Sequence, residues 1–269
     1  MMGTHTFPSA NDEANRLMVF HQAACGYLGN ARDALFDLTD AAMFAQKPPS
    51  FAHLSLSPLF RRRWSSLYEA VHDGRPDRQA LLGLYLPLVK PTPTTLAHSR
   101  VVLARDHTTW PLPSSPTLPD RAYQHQPTQV PGGRPVAIGY SFSTLAWVPQ
   151  GKGSWALPLL HERIDTAEDA LTKAASQLRK VAEKLGPDVW PIVLYDSQYG
   201  CGPFLEATAD MACDKIIRLR PNRVLYWAAP PYSGKGAPRE HGAAFGEKDE
   251  STWGWRTRSW RGKTPSMAG

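Results

Sequence analysis

The 269-residue chain has no long hydrophobic run: nowhere do about 18 apolar residues follow one another, which rules out a membrane-spanning helix read from sequence. Met1–Asp12 lacks a basic stretch followed by an apolar one, so a secretory leader has no support either, and a cytoplasmic chain without membrane contact is expected. Cysteine is scarce. Cys25, Cys201 and Cys213 are odd in number and form no CxxC, which argues against a zinc ribbon or a disulfide framework and for reduced thiols packed as small hydrophobes. Ser233-Gly-Lys235-Gly lacks the preceding strand and first glycine of a phosphate loop. Gly139-Tyr-Ser141-Phe-Ser143 lacks the second glycine of a nucleophile elbow and reads as continuous strand, which excludes an α/β-hydrolase. Finally, no Asp or Glu occurs after Glu250.

What is present fits a folded chain able to form one large domain, or a small and a larger one: 42% hydrophobic and 20% charged residues. The net charge of +6 is unevenly placed, since Lys215–Gly269 holds 11 Lys/Arg against 4 Asp/Glu and the rest holds 19 against 20. The basic excess therefore sits in the C-terminal fifth. A surface facing a polyanion and a solvated basic tail both account for it, and charge alone leaves the two open.

Apolar spacing of three to four predicts helices over Asn15–Leu28 and Asn30–Ala45, with Asn30 as N-cap of the second. A third opens with Ser57 as N-cap and Pro58 at its first position, and carries Phe60, Trp64, Leu67, Tyr68 and Val71 to Gly74. This puts Arg61, Arg62 and Arg63 in its first turn, where the helix dipole disfavours them; contact with a DNA backbone and a solvated face both explain them. A short fourth helix spans Pro76–Leu86, and Pro91 and Pro93 stiffen the link that follows. Ser99–Arg105 reads as a strand, and Trp110–Pro135, with seven prolines, as a long loop. Pro135–Val148 is the clearest strand, with Val136, Ile138, Tyr140, Phe142, Ala146 and Val148 on one face and Ser141 and Ser143 on the other. Trp155–Ile164 is its partner, and Pro158 marks it as an edge strand. A helix then starts at a capping-box-like Thr166/Asp169, buries Leu171, Ala174, Leu178, Val181 and Leu185, gains the pairs Asp169–Lys173 and Arg179–Glu183, and ends at Gly186. Val189–Tyr195 is a buried strand, Pro203–Ala212 a short helix and Lys215–Arg220 a last strand.

Three antiparallel strands followed by two α/β units is the RNase H-like order. The expected fold is thus α/β, an incomplete RNase H-like mixed sheet preceded by an α-helical region. Asp106 and Asp196 then close its adjacent first and fourth strands. Taken singly, each reads better as a turn residue after a strand than as a metal ligand. As a pair they offer hard oxygen ligands for Mg²⁺, as phosphoryl transfer requires. His107 could orient water or substrate or be an ordinary loop histidine. Trp110 suits a core or loop anchor better than a base-stacking platform. Arg218, Arg220 and Arg223 leave the last strand on the same side, where phosphate contact is expected.

Several short matches share one pattern: the run Arg32 to Ala42, Leu54-Ser-Leu-Ser-Pro58, Arg61-Arg-Arg-Trp64, Asp106-His-Thr-Thr-Trp110-Pro111, Arg121-Ala-Tyr123, Asp196-Ser-Gln-Tyr199-Gly200, and His241-Gly242 with Phe245. On these residues the chain, over roughly residues 15 to 253, resembles bacterial insertion-sequence transposases of the DDE superfamily, in the group typified by insertion sequence 4. The resemblance implies that Asp106 and Asp196 are the first two acids of a metal-binding triad. It also implies Mg²⁺ or Mn²⁺ as cofactor, double-stranded DNA at insertion-element ends as partner, a homo-oligomer on that DNA, and a nucleoid-associated location. Arg61, Arg62, Arg63, Arg218, Arg220 and Arg223 become DNA contacts. The family's third acid is a helical Glu that follows a nearby Tyr and Arg after the last strand. Glu240, Glu247 and Glu250 instead stand among Gly, Pro, Lys and Asp, and Thr252–Gly269 loses any core pattern, so this end reads as truncated or frame-shifted. The expected organisation is a DNA-binding helical region over 12–90, a catalytic core over 99–220, and the start of an insertion with a basic tail over 221–269. Three functions are compatible: a transposase, an inactive DNA-binding remnant, and a stand-alone nuclease that recruits one late glutamate.

Overall fold

The computed structural model describes residues 10–89, 100–115, 117–125, 136–149, 156–220, 224–246 and 249–252. The proline link and the ends of several expected elements (Pro91, Pro93, Ser99, Pro135, Trp155) lie outside these. Helices α1 (Ala10–Gly26), α2 (Arg32–Phe44), α3 (Trp64–Asp73) and α4 (Arg78–Tyr85) form the N-terminal part, with 3-10 turns at Phe51–Leu56 and Leu86–Leu88. Leu38, Ala41, Leu54, Phe60 and Leu67 close a small core between α2, the first 3-10 turn and α3. No helix among the described residues is long and apolar enough to cross a membrane.

Two helix starts differ from the sequence expectation. Helix α2 is flanked by Ala31 in the left-handed region (φ 54°), not capped by Asn30. Helix α3 begins at Trp64, not at Ser57. Phe60 is drawn into the core and its N–H closes a turn on the Ser57 carbonyl, while Arg61 and Arg62 reach back to Asp37. Those tertiary contacts hold residues 57–63 out of the helix, so the three arginines precede its first turn. Helix α4 is capped by Asp77, whose carboxylate accepts from the N–H groups of Gln79 and Ala80 at 3.1 and 2.9 Å.

The remaining strands and helices are β1 (Val102–Pro111), β2 (Ala122–His125), β3 (Val136–Trp147), β4 (Leu157–Ile164), α5 (Ala170–Leu185), β5 (Ile192–Tyr195), α6 (Gly202–Ala207), β6 (Asp214–Ile217) and a small antiparallel pair, β7 (Val224–Tyr226) with β8 (Ala244–Gly246). Strand β3 pairs antiparallel with β1 on one side, and with β4 and the short β2 on the other. Strands β5 and β6 continue the sheet in parallel from β1. The order β4-β3-β1-β5-β6, three antiparallel strands and then two parallel ones, is the RNase H-like arrangement. Pro158 lies on the edge strand β4, as its missing N–H requires.

Strand β1 runs past its expected end at Arg105 to Pro111, because the antiparallel ribbon with β3 continues where β5 stops. The region expected as one long loop thus contains the end of β1 and all of β2. Gly139 permits the close approach there: a Cβ at this position would lie 2.1 Å from the Trp110 carbonyl oxygen.

The face of β3 expected to be polar is the buried one. Ser141, Ser143 and Leu145 point inward, while Val136 on the alternate face is exposed. Helix α5 covers this side, presenting Ala174, Gln177, Leu178 and Val181, and it is capped by Asp169, which accepts from the N–H groups of Leu171 and Thr172. Neither expected pair along α5 closes into a direct ion pair. The Asp169 carboxylate is occupied as a cap, Lys173 pairs with Glu168 at 2.9 Å, and Arg179 reaches Asp210 at 2.7 Å. The main core joins Leu103, Leu145, Leu178, Val181, Val193 and Phe204, and also takes in Leu82 and Leu86 from α4 and the turn after it. On the opposite face of the sheet Leu194 and Ile216 are exposed at 37% and 58%.

Leu178 is fully enclosed, so Leu178→Ala is expected to destabilise the fold by about 2–5 kcal/mol, read from the urea midpoint. Three carboxyls are held below the ordinary carboxylate value: Asp120 by hydrogen bonds from Thr166, Asp210 by Arg179, and Asp214 by Arg100 and Trp190. Their contribution is present above the unfolded value of 3.8 and is lost as pH falls through the lower folded values. The urea midpoint at pH 3 should therefore lie well below that at pH 6, and equal midpoints would refute it.

Candidate active site

The parallel register between β1 and β5 ends with Arg105 opposite Tyr195, and that between β5 and β6 ends with Tyr195 opposite Ile217. The next residues are Asp106, Asp196 and Arg218. The sheet therefore brings two carboxylates and a guanidinium abreast at the C-terminal ends of three neighbouring strands, where α/β sheets form their sites. Asp106 sits within β1 because only the β3 side of the ladder continues, paired to Thr144. Asp196 opens the turn after β5.

Both acids are exposed, and neither makes an ion pair with a described residue. One oxygen of each is engaged locally: Asp106 Oδ1 accepts from the His107 N–H at 2.7 Å, and Asp196 Oδ1 from the Gln198 N–H at 3.0 Å. The two segments are also linked to each other, with His107 Nδ1 3.2 Å from Gln198 Oε1. Each carboxylate thus keeps an oxygen facing solvent while its orientation is set by the backbone. Hard oxygen donors of this kind suit Mg²⁺ or Mn²⁺. Among the described residues no group of three His, Cys, Asp or Glu gathers to complete a ligand set. Glu240 is exposed between β7 and β8, Glu247 lies outside the described residues, and so does the side chain of Glu250.

Beneath the acids lies a residue that sequence reasoning passed over. Arg105 is 3% exposed and donates to the Tyr199 hydroxyl, to Ser143 Oγ and, at 3.5 Å, to the Ala170 carbonyl at the start of α5. Its guanidinium also lies 4.6 Å from the Tyr199 ring centre. Ser143 Oγ in turn donates to Gln177 Oε1, and Gln177 Nε2 donates to the Ser143 carbonyl at 3.1 Å and to Glu162 at 3.3 Å. Burial pushes the Arg105 guanidinium down to about 10, against the opposing pull of Tyr195, Asp106 and Asp196, and it stays charged at neutral pH. The Tyr195 hydroxyl is raised, chiefly by burial. A charged residue one position before Asp106, inside an otherwise apolar strand, was the available signal. The serines of β3 were the other.

The remaining expected residues divide. Arg218 and Arg220 are exposed at the end of β6, beside the acids, without an ion pair among the described residues; Arg223 lies outside the described residues. Arg61 and Arg62 belong to the N-terminal helices and converge on Asp37, which is nearly buried, at 2.7 and 3.5 Å; Arg62 also lies 3.8 Å from Asp33. Arg63 is exposed at the N-cap of α3. Trp110 is 63% exposed near the end of β1, so of the expected core or loop anchor the core position is excluded.

The model of a family described as DDE superfamily endonuclease matches residues 25–265. The chain belongs to this family. Among curated proteins no relative matches. Among solved structures, one similar to this DDE superfamily member is the piggyBac transposase in a cryo-EM synaptic complex with hairpin DNA, at 11% identity and a TM-score of 0.33. The match covers 83% of this chain and 45% of the transposase, so the chain spans less than half the length of that protein.

Gln177 satisfies Ser143, Glu162 and, through Ser143, Arg105. Gln177→Leu fills the same space yet leaves these groups short of partners. It should lower stability by about 1–3 kcal/mol, measured by urea denaturation. A neutral or stabilising result would mean that the network relaxes without it.

Proposed function

We propose that this DDE superfamily member is a transposase by descent, acting on double-stranded DNA at the ends of an insertion element through strand cleavage and strand transfer. The observation that carries the reading is the pair of exposed carboxylates, Asp106 and Asp196, abreast on the adjacent central strands of an RNase H-like sheet. These two residues would hold Mg²⁺ or Mn²⁺, since each offers a hard oxygen free of basic partners. A divalent cation held there supplies Lewis-acid stabilisation of charge developing on phosphate oxygens. Arg218 and Arg220 supply positive charge on the same rim and receive the phosphate backbone, and Arg223 extends that set. Arg61, Arg62 and Arg63 contribute backbone contacts from the helical region 12–90. The catalytic part is residues 99–220, residues 221–269 begin an inserted segment, and the working form is a homo-oligomer on the DNA.

A second reading is supported by a specific observation. No third acid joins Asp106 and Asp196 among the described residues, which favours a remnant that binds element ends without cutting them. The nuclease alternative needs one of the late glutamates, and Glu240 joins no such group.

The test is cleavage of element-end DNA by the full chain with Mg²⁺ or Mn²⁺, alongside a binding assay. A working enzyme cuts, and Asp106→Asn or Asp196→Asn lowers the rate by at least the roughly hundredfold that even an outer-shell partner of a metal can be worth, with binding retained. Binding without cleavage assigns the remnant. Neither binding nor cleavage overturns both readings.

A further inference from the structure

Two acids on neighbouring strands make a site only if their separation is fixed, and the sheet does not fix it. The β1–β5 ladder stops at Arg105 and Tyr195, one residue short of the acids, and Asp196 stands in a turn. Something other than strand pairing has to hold that turn against β1. Resting on the reading of Asp106 and Asp196 as a pair, we propose that Arg105 is its positioning residue, clamping the turn that carries Asp196 to the strand that carries Asp106 through the Tyr199 hydroxyl.

Four observations support this. Arg105 immediately precedes Asp106, and its acceptor Tyr199 lies in the turn that Asp196 opens, so one side chain spans the gap between the segments. Tyr199 is fully enclosed, packed against Tyr195 and Phe204 with ring centres 5.3 and 5.2 Å away, so the turn is anchored where the guanidinium grips it. The other arm of the fork is equally fixed, because it ends on Ser143, itself held by Gln177 of α5. Lastly, a buried guanidinium is costly, and Arg105 Nε has no hydrogen-bond partner among the described residues. An apolar side chain would fill the position at lower cost but join nothing, whereas the planar fork reaches Tyr199 from one nitrogen and Ser143 from the other. A buried positive charge directly below two carboxylates also lessens their mutual repulsion.

The test uses the full chain and two variants, Tyr199→Phe, which removes the acceptor, and Arg105→Lys, which keeps the charge but replaces the two-nitrogen fork by a single nitrogen. Amide exchange is measured over residues 196–201 and over the core strands, and Mn²⁺ binding alone by electron paramagnetic resonance. Both variants should exchange about tenfold faster in the turn, with protection of Leu103, Leu145 and Val193 unchanged, and should bind Mn²⁺ about tenfold more weakly. A purely structural role would instead loosen the core and the turn together. Unchanged exchange in the turn overturns the proposal, as does faster exchange with undiminished Mn²⁺ affinity, and so does Arg105→Lys behaving as wild type. If the wild-type chain binds no Mn²⁺ while the turn still loosens in both variants, the metal reading fails and the clamp stands.

Discussion

The register of the parallel β1–β5 ladder is the constraint on which the rest of the molecule turns. It is short, pairing only Val102–Arg105 with Ile192–Tyr195, yet it decides which side chains meet above it. A slip of one residue would turn Arg105 outward and send one of the acids to the other face of the sheet. What prevents the slip is the burial pattern on the α5 side. Leu103 and Val193 are fully enclosed, and a slip of one residue cannot keep both inward with Tyr195. The face on which each acid emerges is therefore a consequence of core packing on the opposite one.

This packing is unusual in containing a polar chain through its middle. Arg105, Ser143, Gln177 and Glu162 link β1, β3, α5 and β4, and Glu162 lies within 3.8 and 3.5 Å of Lys173 and Lys180 at the surface. Such chains contribute little net stability when compared with hydrophobic substitutes, and they impose a single arrangement on the elements they join. Here the elements joined are those that carry or flank the acids.

Much of this architecture was legible in the residues. The stripe Ala174, Leu178, Val181 and the run before Asp196 report their periods plainly, and Pro158 identifies the edge strand without further help. The differences nearest the acids share one physical cause, which is that a polar side chain can be buried when another polar group satisfies it. Ser141 and Ser143 stand apart from the apolar face of β3 and Arg105 ends the expected first strand, and the apolar pattern alone marks neither as buried, although a buried hydroxyl and a buried guanidinium satisfy one another. The start of α3 was misjudged for a related reason. Ser57-Pro58 is a sound local cap signal, but Phe60 gains more from the core, and Arg61 and Arg62 more from Asp37, than from a helical turn.

The same distinction bears on the basic residues. Arg61 and Arg62 neutralise Asp37, a carboxylate with almost no access to water, so part of their charge serves the fold. Arg218 and Arg220 carry no such obligation among the described residues and sit where the register delivers the acids. A phosphate drawn to this edge meets free guanidinium groups and two carboxylates together, and anionic acids repel it unless a cation intervenes. The juxtaposition is unfavourable for a phosphate-binding surface alone, and it becomes favourable once the carboxylates are occupied as ligands. That is why the pair of acids, more than the basic excess of the chain, directs the reading toward metal-assisted chemistry on DNA.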